Sequence, residues 1–217
     1  MTILLSDPRV AAVALAECGE PLVALDRSFG PARARVRAGL AVRLRKAQDA
    51  LPAGTGLRVV EGHRSLAAQR AIITRYAAEV AAAHPGADAA ERHRLTSRFV
   101  APVEVAPHVA GAAVDLTLVD LRRGGAGGWG TELDLGTPID ATPEQTQGRC
   151  FTDSPAIAPR ARAHRTLLGA VLGAAGLVNY PTEWWHWSWG DRYWALTTGA
   201  PAALYGPVDD QRAGAAA

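Results

Sequence analysis

The sequence predicts one domain that combines α-helices with β-strands. The chain has 217 residues, a length typical of a single domain, and it contains no internal repeat and no linker between two halves. Long amphipathic segments predict helices, and two short apolar runs with β-branched residues predict strands. We therefore expect one domain over 1–217, with an N-terminal segment over 1–30 and a tail over 206–217.

The N-terminal part of the chain is predicted to hold two helices. A short helix over 7–18 begins at Ser6 or Asp7, since both residue types cap helix N-termini. A longer helix runs from about 31 to 50 and has Pro31 in its first turn, where proline is favoured.

A strand and two further helices are predicted next. The apolar run LRVVE (57–61) is bounded by proline and glycine and predicts a central strand. Ser65 begins a long amphipathic helix that ends at Pro85 and Gly86. A shorter, polar helix over 88–97 follows it.

The second half of the chain is predicted to alternate regular elements with a long loop. The run AVDLTLVDL (113–121) alternates residue types with the period of a strand. Residues 121–156 are rich in Gly, Pro, Asp and Thr, which predicts an ordered active-site loop. A helix over 160–175 follows, and the segment 183–199 resembles a hairpin around Gly190 and Asp191.

Composition and charge exclude several classes of protein. Hydrophobic residues make up 48% of the chain and charged residues 20%, as in a globular domain, and the net charge of +2 is too small for a nucleic-acid or membrane surface. Cys18 and Cys150 are not spaced for a disulfide framework or a thiolate zinc site. Since the N-terminus is a poor signal peptide and no apolar run reaches about 18 residues, we expect a cytoplasmic protein.

Three histidine and carboxylate positions predict a zinc site. Two histidines and one carboxylate are ordinary ligands of a catalytic zinc that keeps one position for water, and His108, Asp115 and His186 supply that set. Gly111 allows the chain to turn between the first two of them. Glu183, three residues before the last ligand, is expected in a bend after Pro181, beside the metal water.

Each of these residues also has a purely structural interpretation. A single histidine is more often a hydrogen-bonded core or surface residue than a ligand, and Arg64 could be a surface cation. Asp115 is harder to explain, because a carboxylate inside an apolar strand is costly unless it is paired or coordinated. A structural protein without metal would leave it unexplained. The tryptophans of 184–194 are expected in the core and in a pocket wall.

Four segments in order resemble one family over roughly residues 35–195. The segments EGHRSLAAQ, PHVAGAAVDLTL, LGTPID and EWWHW resemble the bacterial D-Ala-D-Ala dipeptidases, the VanX-type branch of the M15 zinc peptidases. The resemblance implies an α+β fold, a small antiparallel sheet flanked by helices, like that of Hedgehog domains and D,D-peptidases. It also implies one zinc ion per chain and a small dipeptide as substrate.

The resemblance assigns a role to each candidate residue. It makes His108, Asp115 and His186 the zinc ligands, Glu183 the general base and Arg64 the group that stabilises the oxyanion. It also makes Asp140, in LGTPID, the carboxylate that receives the free ammonium group of the substrate. This list is the whole of the predicted site: His108, Asp115, Asp140, Glu183, His186 and Arg64.

The chain departs from the family pattern at three places. Ala106 and Pro107 stand where the family has hydroxyl donors, HRS (63–65) replaces the usual Tyr-Arg-Pro, and the family's substrate segment is barely recognisable around 26–30. These departures concern substrate specificity, so D-Ala-D-Ala is only the best single candidate among small D-dipeptides.

Two rival functions stay open. One is a D,D-carboxypeptidase or related cell-wall peptidase, and the other is a non-catalytic zinc-binding interaction module.

Overall fold

A computed structural model describes residues 2–208 of the chain. None of the helices in that range is both long enough and apolar enough to cross a bilayer. Three short 3₁₀ turns cover Arg27–Phe29, Val103–Val105 and Ala126–Gly128. The other elements are, in chain order, α1 (Pro8–Ala12), β1 (Leu22–Ala24), β2 (Arg35–Arg37), α2 (Ala38–Asp49), β3 (Thr55–Glu61), α3 (Leu66–Ala83), α4 (Ala89–Thr96), β4 (Ala113–Asp120), β5 (Thr131–Glu132), α5 (Pro143–Thr146), α6 (Pro159–Ala174), β6 (Val178–Asn179), β7 (His186–Ser188) and α7 (Arg192–Thr198).

An antiparallel sheet of five strands lies at the centre of the described residues. Its order is β3-β4-β7-β6, with the short β5 paired to the end of β4, and β1 and β2 form a separate antiparallel pair. Helices pack against this sheet, so the expected α+β class with a small antiparallel sheet is confirmed.

Strand β4 is the buried centre of the sheet and separates the core from the site. All eight of its residues are buried. Val114, Leu116 and Leu118 belong to the main apolar core, which includes leucines of α2 and α6. Because side chains alternate along a strand, Asp115 points to the opposite face. There it lies between Glu61 of β3 and His186 of β7 in the sheet register, so the pairing of three strands brings these polar residues into one row.

Two predicted elements in the N-terminal part are wrong in extent. The helix expected over 7–18 covers only Pro8–Ala12, with Asp7 as its N-cap, because the chain beyond it pairs with the segment around Ala203. The helix expected over 31–50 begins only at Ala38. Residues 35–37 instead form β2 and pair with β1, so tertiary pairing overrides the helical pattern.

Two further predictions about strands are wrong. LRVVE belongs to β3, which lies at the edge of the described sheet and not at its centre, since it pairs only with β4. The hairpin expected around Gly190 and Asp191 is a strand followed by a helix. The carboxylate of Asp191 accepts hydrogen bonds from the backbone N–H groups of Tyr193 and Trp194 and so caps α7.

The remaining predicted elements agree with the structure to within a few residues. The helices expected over 65–84, 88–97 and 160–175 are α3, α4 and α6. The strand expected over 113–121 is β4. Of the predicted tail, residues 209–217 lie outside the described range, and the single domain over 1–217 stays a prediction.

Candidate metal centre

The three predicted ligands lie together in a buried cluster. The possible ligand atoms of His108, Asp115 and His186 all lie within 4.8 Å of one another. His186 Nδ1 lies 3.1 Å from Asp115 Oδ1 and 3.1 Å from His108 Nε2, and His108 Nε2 lies 3.4 Å from Asp115 Oδ2. Two imidazoles and one carboxylate converging on one point fit a zinc ion that keeps a position for water.

A tight turn before β4 places His108 beside Asp115. Gly111 has φ +65°, a left-handed conformation that favours glycine, and its N–H donates to the carbonyl of His108. The tight turn that Gly111 was expected to allow is present. The second ring nitrogen of His108, Nδ1, lies 2.7 Å from the carbonyl oxygen of Gly62 at the end of β3. A hydrogen bond of this type fixes the orientation of a ligand imidazole.

Electrostatics in the cluster favour an ionised Asp115. Burial opposes ionisation, but hydrogen bonds and charge from the two histidines hold the pKa of Asp115 well below its usual range. Burial lowers the pKa of His186, so this ring is neutral and free to coordinate. Burial also lowers the pKa of His108, but Asp115 more than offsets this and raises it. Asp115 favours a proton on His108. A bound metal cation would take the place of that proton as the positive charge beside Asp115.

Glu183 lies beside the cluster and has one unsatisfied oxygen. It follows the turn at Pro181, and its Oε2 lies 3.8 Å from His186 Nδ1. Its Oε1 is buried and has no hydrogen-bond partner among the described residues. Burial, together with the carboxylates of Asp115 and Asp140, raises the pKa of Glu183 well above its usual value. A buried carboxylate oxygen without a hydrogen-bond partner is costly, unless a bound water molecule or ion contacts it.

Arg64 is held rigidly at the side of the cleft. Its Nε donates to Glu61 Oε1 at 2.8 Å, its Nη2 donates to Glu61 Oε2, and its Nη1 donates to Gln69 Oε1 at 2.8 Å. Gln69 is itself 1% exposed and donates to the carbonyl of Ala101. A guanidinium has five N–H groups, so two of them are left for a ligand.

The sequence did not predict these partners of Arg64. Sequence alone assigns no role to Glu61 or Gln69. The one feature of the sequence that points to the contact between Gln69 and Arg64 is their spacing. Gln69 is a polar residue on the buried side of an amphipathic helix, five residues after the arginine, and such a residue needs a polar partner.

Asp140 lies at the exposed mouth of the same cleft. Its φ of +63° is rare for a residue other than glycine, which indicates that the loop is constrained there. Partial loss of surrounding water, and then the charges of Asp115 and Glu61, raise the pKa of Asp140. The residue is exposed to solvent on one side and lines the cleft on the other.

The cleft joins all six predicted site residues in a cavity of about 290 Å³. Ala106 and Pro107 form part of its wall, so the position of the missing hydroxyl donors does face the site. Trp185 lines the cleft as well, and Trp184, Trp187 and Trp189 are buried in the core, as expected.

Sequence comparisons find similarity to one enzyme family. The M15 peptidase family model, described as D-ala-D-ala dipeptidase, matches residues 30–200. A D-alanyl-D-alanine dipeptidase of Synechocystis sp. (strain ATCC 27184 / PCC 6803 / Kazusa) is 32% identical over 101 residues, 43% of this chain and 38% of the relative. A D-alanyl-D-alanine dipeptidase of Escherichia coli (strain K12) is 35% identical over 79 residues, 36% of this chain and 35% of the relative. The matched segments span little more than a third of the length of these curated relatives.

A solved structure of similar size was also found. It is the crystal structure of a mutant of the vancomycin-resistance D,D-pentapeptidase VanY, from a VanB-type cassette, in complex with Zn(II). Its TM-score is 0.43 at 20% sequence identity, with 88% of this chain and 90% of that chain covered. The family match rests on sequence, and it covers most of the chain: the protein belongs to the M15 peptidase family.

Proposed function

We propose that this chain is a zinc-dependent dipeptidase that hydrolyses short D-amino-acid dipeptides, with D-Ala-D-Ala as the best single candidate. One observation carries the proposal. The unpaired Oε1 of Glu183 is buried in the same cleft as three convergent ligands, an arrangement suited to a metal ion, a water molecule and a base. The similarity to dipeptidases supports the choice of reaction.

His108, Asp115 and His186 would hold one zinc ion. When bound, zinc polarises a peptide carbonyl and lowers the pKa of a water molecule to about 7. The three side chains complete a set of protein ligands, so Glu183 is left outside coordination.

Glu183 moves the proton. Its carboxylate accepts a proton from the attacking water and later donates it to the nitrogen of the leaving amine. The burial that raises its pKa makes it a stronger base than an exposed glutamate.

Arg64 stabilises the oxyanion through hydrogen bonds more than through net charge. Glu61 neutralises its charge, but two N–H groups of the fixed guanidinium remain to donate to the developing oxyanion. Removal of one such donor from comparable acyl-transfer sites lowers turnover on the order of 10²–10³-fold.

Asp140 selects the length of the substrate. Its carboxylate at the mouth of the cleft would pair with the free ammonium group of a dipeptide. The reaction needs no nucleic acid and no membrane, and we propose that it takes place in the cytoplasm.

The test combines metal analysis with a panel of D,D-, L,D- and L,L-dipeptides and a pentapeptide stem on one preparation. We expect about one zinc per chain, hydrolysis of D-Ala-D-Ala, loss of activity with a chelator and recovery with added zinc. A zinc-loaded protein that hydrolyses none of these dipeptides would remove the dipeptidase proposal. Cleavage of pentapeptide stems alone would identify a carboxypeptidase, and zinc binding without any hydrolysis would identify an interaction module.

A further inference from the structure

Helix α3 forms one long wall of the cleft. Gln69, Ile72, Tyr76 and Glu79 all line it, at intervals of three, four and three residues, so they share one face of the helix. From the first to the last of these residues the helix advances ten positions, which corresponds to about 15 Å. The Gln69 end lies at the site, because this residue binds Arg64.

A dipeptide is too short to occupy this length. Two extended residues span at most about 7 Å. If the scissile bond lies at the metal centre and the two termini are held near it, about half of the wall lies beyond the backbone of the substrate. That distal half, which we call the distal lobe, is the part of the cleft lined by Ile72, Tyr76, Phe99 and Val100.

One side of the distal lobe is apolar, while polar residues such as Gln145 line other parts of the same cleft. The rings of Tyr76 and Phe99 lie 5.0 Å apart between centroids, and those of Phe99 and Trp185 lie 6.5 Å apart, so an aromatic wall runs toward the strand of His186. The hydroxyl of Tyr76 already donates its proton to Glu144 at 2.9 Å, so Tyr76 offers a ligand its ring and an acceptor oxygen but no donor. Arg75 and Glu79 are exposed at the rim of the cleft, where Arg75 Nε lies 3.9 Å from Glu79 Oε1.

These walls suit a side chain better than a third residue. Another peptide unit would bring an N–H and a carbonyl group into the lobe, and unpaired polar groups are costly in apolar surroundings. A large apolar side chain has no such groups. The methyl groups of D-Ala-D-Ala are too small to fill the space.

We propose that the cleft takes dipeptides in which one residue carries a large apolar side chain that packs against Ile72, Tyr76 and Phe99. The proposal rests on the proposed dipeptidase function and names its substrate class. Because one methylene group in an apolar pocket changes kcat/KM by about 10-fold or more, a side chain that fills the lobe gives at least that preference over D-Ala-D-Ala.

The experiment compares D-Ala-D-Ala with D-Phe-D-Ala, D-Ala-D-Phe and tri-D-alanine on the zinc-loaded enzyme. We expect one of the two phenylalanine dipeptides to have a kcat/KM about 10-fold or more above that of D-Ala-D-Ala, mostly through KM. Calorimetry with Glu183→Gln, which binds without rapid turnover, should give the same order of affinities. A preference for D-Ala-D-Ala or for tri-D-alanine would overturn the proposal.

Variants on two faces of α3 locate the effect. Ile72→Trp should fill the lobe and lower kcat/KM for the preferred phenylalanine dipeptide more than for D-Ala-D-Ala, so that the ratio between the two falls toward one. Thr74→Trp adds the same side chain to the exposed face of the helix and should leave the preference unchanged. Ile72→Ala, which keeps the lobe open and removes one contact, should reduce the preference if the tryptophan variant does not fold.

The two proposals fail in different ways. An enzyme that hydrolyses no dipeptide at all contradicts the proposed function. An enzyme that hydrolyses D-Ala-D-Ala but gains nothing from a phenylalanine side chain, or loses both activities equally in Ile72→Trp and Ile72→Ala, contradicts only the substrate class.

Discussion

The Nδ1 atom of His108 lies 2.7 Å from the carbonyl oxygen of Gly62. A carbonyl oxygen only accepts, so Nδ1 carries a proton, and Nε2 is the ring nitrogen that faces the cluster and would coordinate a metal ion there. A side chain at Gly62 would place its Cβ 2.5 Å from the carbonyl oxygen of Arg35. The end of β3 therefore orients a candidate ligand on another segment of the chain, and the close packing there requires glycine.

The first prediction concerns metal binding. His186→Ala removes one of three ligands, so zinc content and activity should be lost together. His93→Ala, at an exposed position of α4, is the matched control and should keep both. The measurement is zinc per chain after purification and dialysis, with the hydrolysis rate of the same samples. Stoichiometric zinc in His186→Ala would show that the ligand assignment is wrong.

The second prediction separates the base from the ligands. Glu183→Gln keeps the shape of the side chain but cannot accept the proton, so zinc should stay bound while kcat falls by roughly 10²-fold or more. Glu104→Gln changes an exposed carboxylate and should have no effect. Steady-state kinetics and metal analysis are the readouts. Near-normal turnover in Glu183→Gln would exclude this residue as the base.

The sequence predicted best where local pattern and burial agree. Ser65 begins α3 as expected, because its side chain accepts from the N–H of Ala68 and caps the helix. The acidic residue in an apolar strand, Asp115, correctly indicated a polar cluster, since an unpaired buried carboxylate would be too costly. Motif order then identified the family.

The sequence predicted worst where distant pairing decides the local structure. Residues 35–37 carry a helical pattern but form β2, because β1 offers them a partner 13 residues earlier in the chain. The segment after Gly190 was expected to return as a strand, whereas the capping side chain of Asp191 begins a helix. The bond between Gln69 and Arg64 crosses from a loop to a helix and has no signature of its own in a single sequence.

The third prediction tests the turn before β4. Gly111→Ala places a side chain at φ +65°, with its Cβ 2.4 Å from Leu22 Cδ2, so the free energy of unfolding should fall by about 1–2 kcal/mol and zinc affinity should fall with it. Gly173→Ala is the control. It lies in α6 with open space around it, and alanine there should stabilise the helix by about 0.5–1 kcal/mol. Urea unfolding and zinc titration measure both variants, and equal changes would contradict the argument.

The fourth prediction concerns the loop that carries Asp140. Arg165 is 5% exposed and donates to four carbonyl oxygens at the two ends of this loop, those of Leu135, Arg149, Phe151 and Thr152. Arg165→Met removes the donor from these acceptors, of which that of Leu135 belongs to a buried residue, and should lower the free energy of unfolding by about 3 kcal/mol. Hydrogen exchange should rise in residues 136–149. Arg160→Met, on the exposed side of α6, should change neither quantity.

The last prediction concerns the free amino group of the substrate. If Asp140 pairs with that ammonium group, N-acetyl-D-Ala-D-Ala should be cleaved more slowly than D-Ala-D-Ala. Because Asp140 is exposed, water screens the pair, and a contribution of about 1 kcal/mol corresponds to roughly a fivefold difference in kcat/KM. A buried pair would give a much larger ratio.

Competition between the two substrates in wild type and variants measures this ratio. Asp140→Asn should bring it close to one, mainly by slowing D-Ala-D-Ala, while Asp153→Asn, at another exposed position of the loop region, should leave it unchanged. Equal cleavage of both substrates by the wild type would contradict selection by the ammonium group. The same result would favour a carboxypeptidase, because such an enzyme accepts a peptide bond where a dipeptidase requires a free amine.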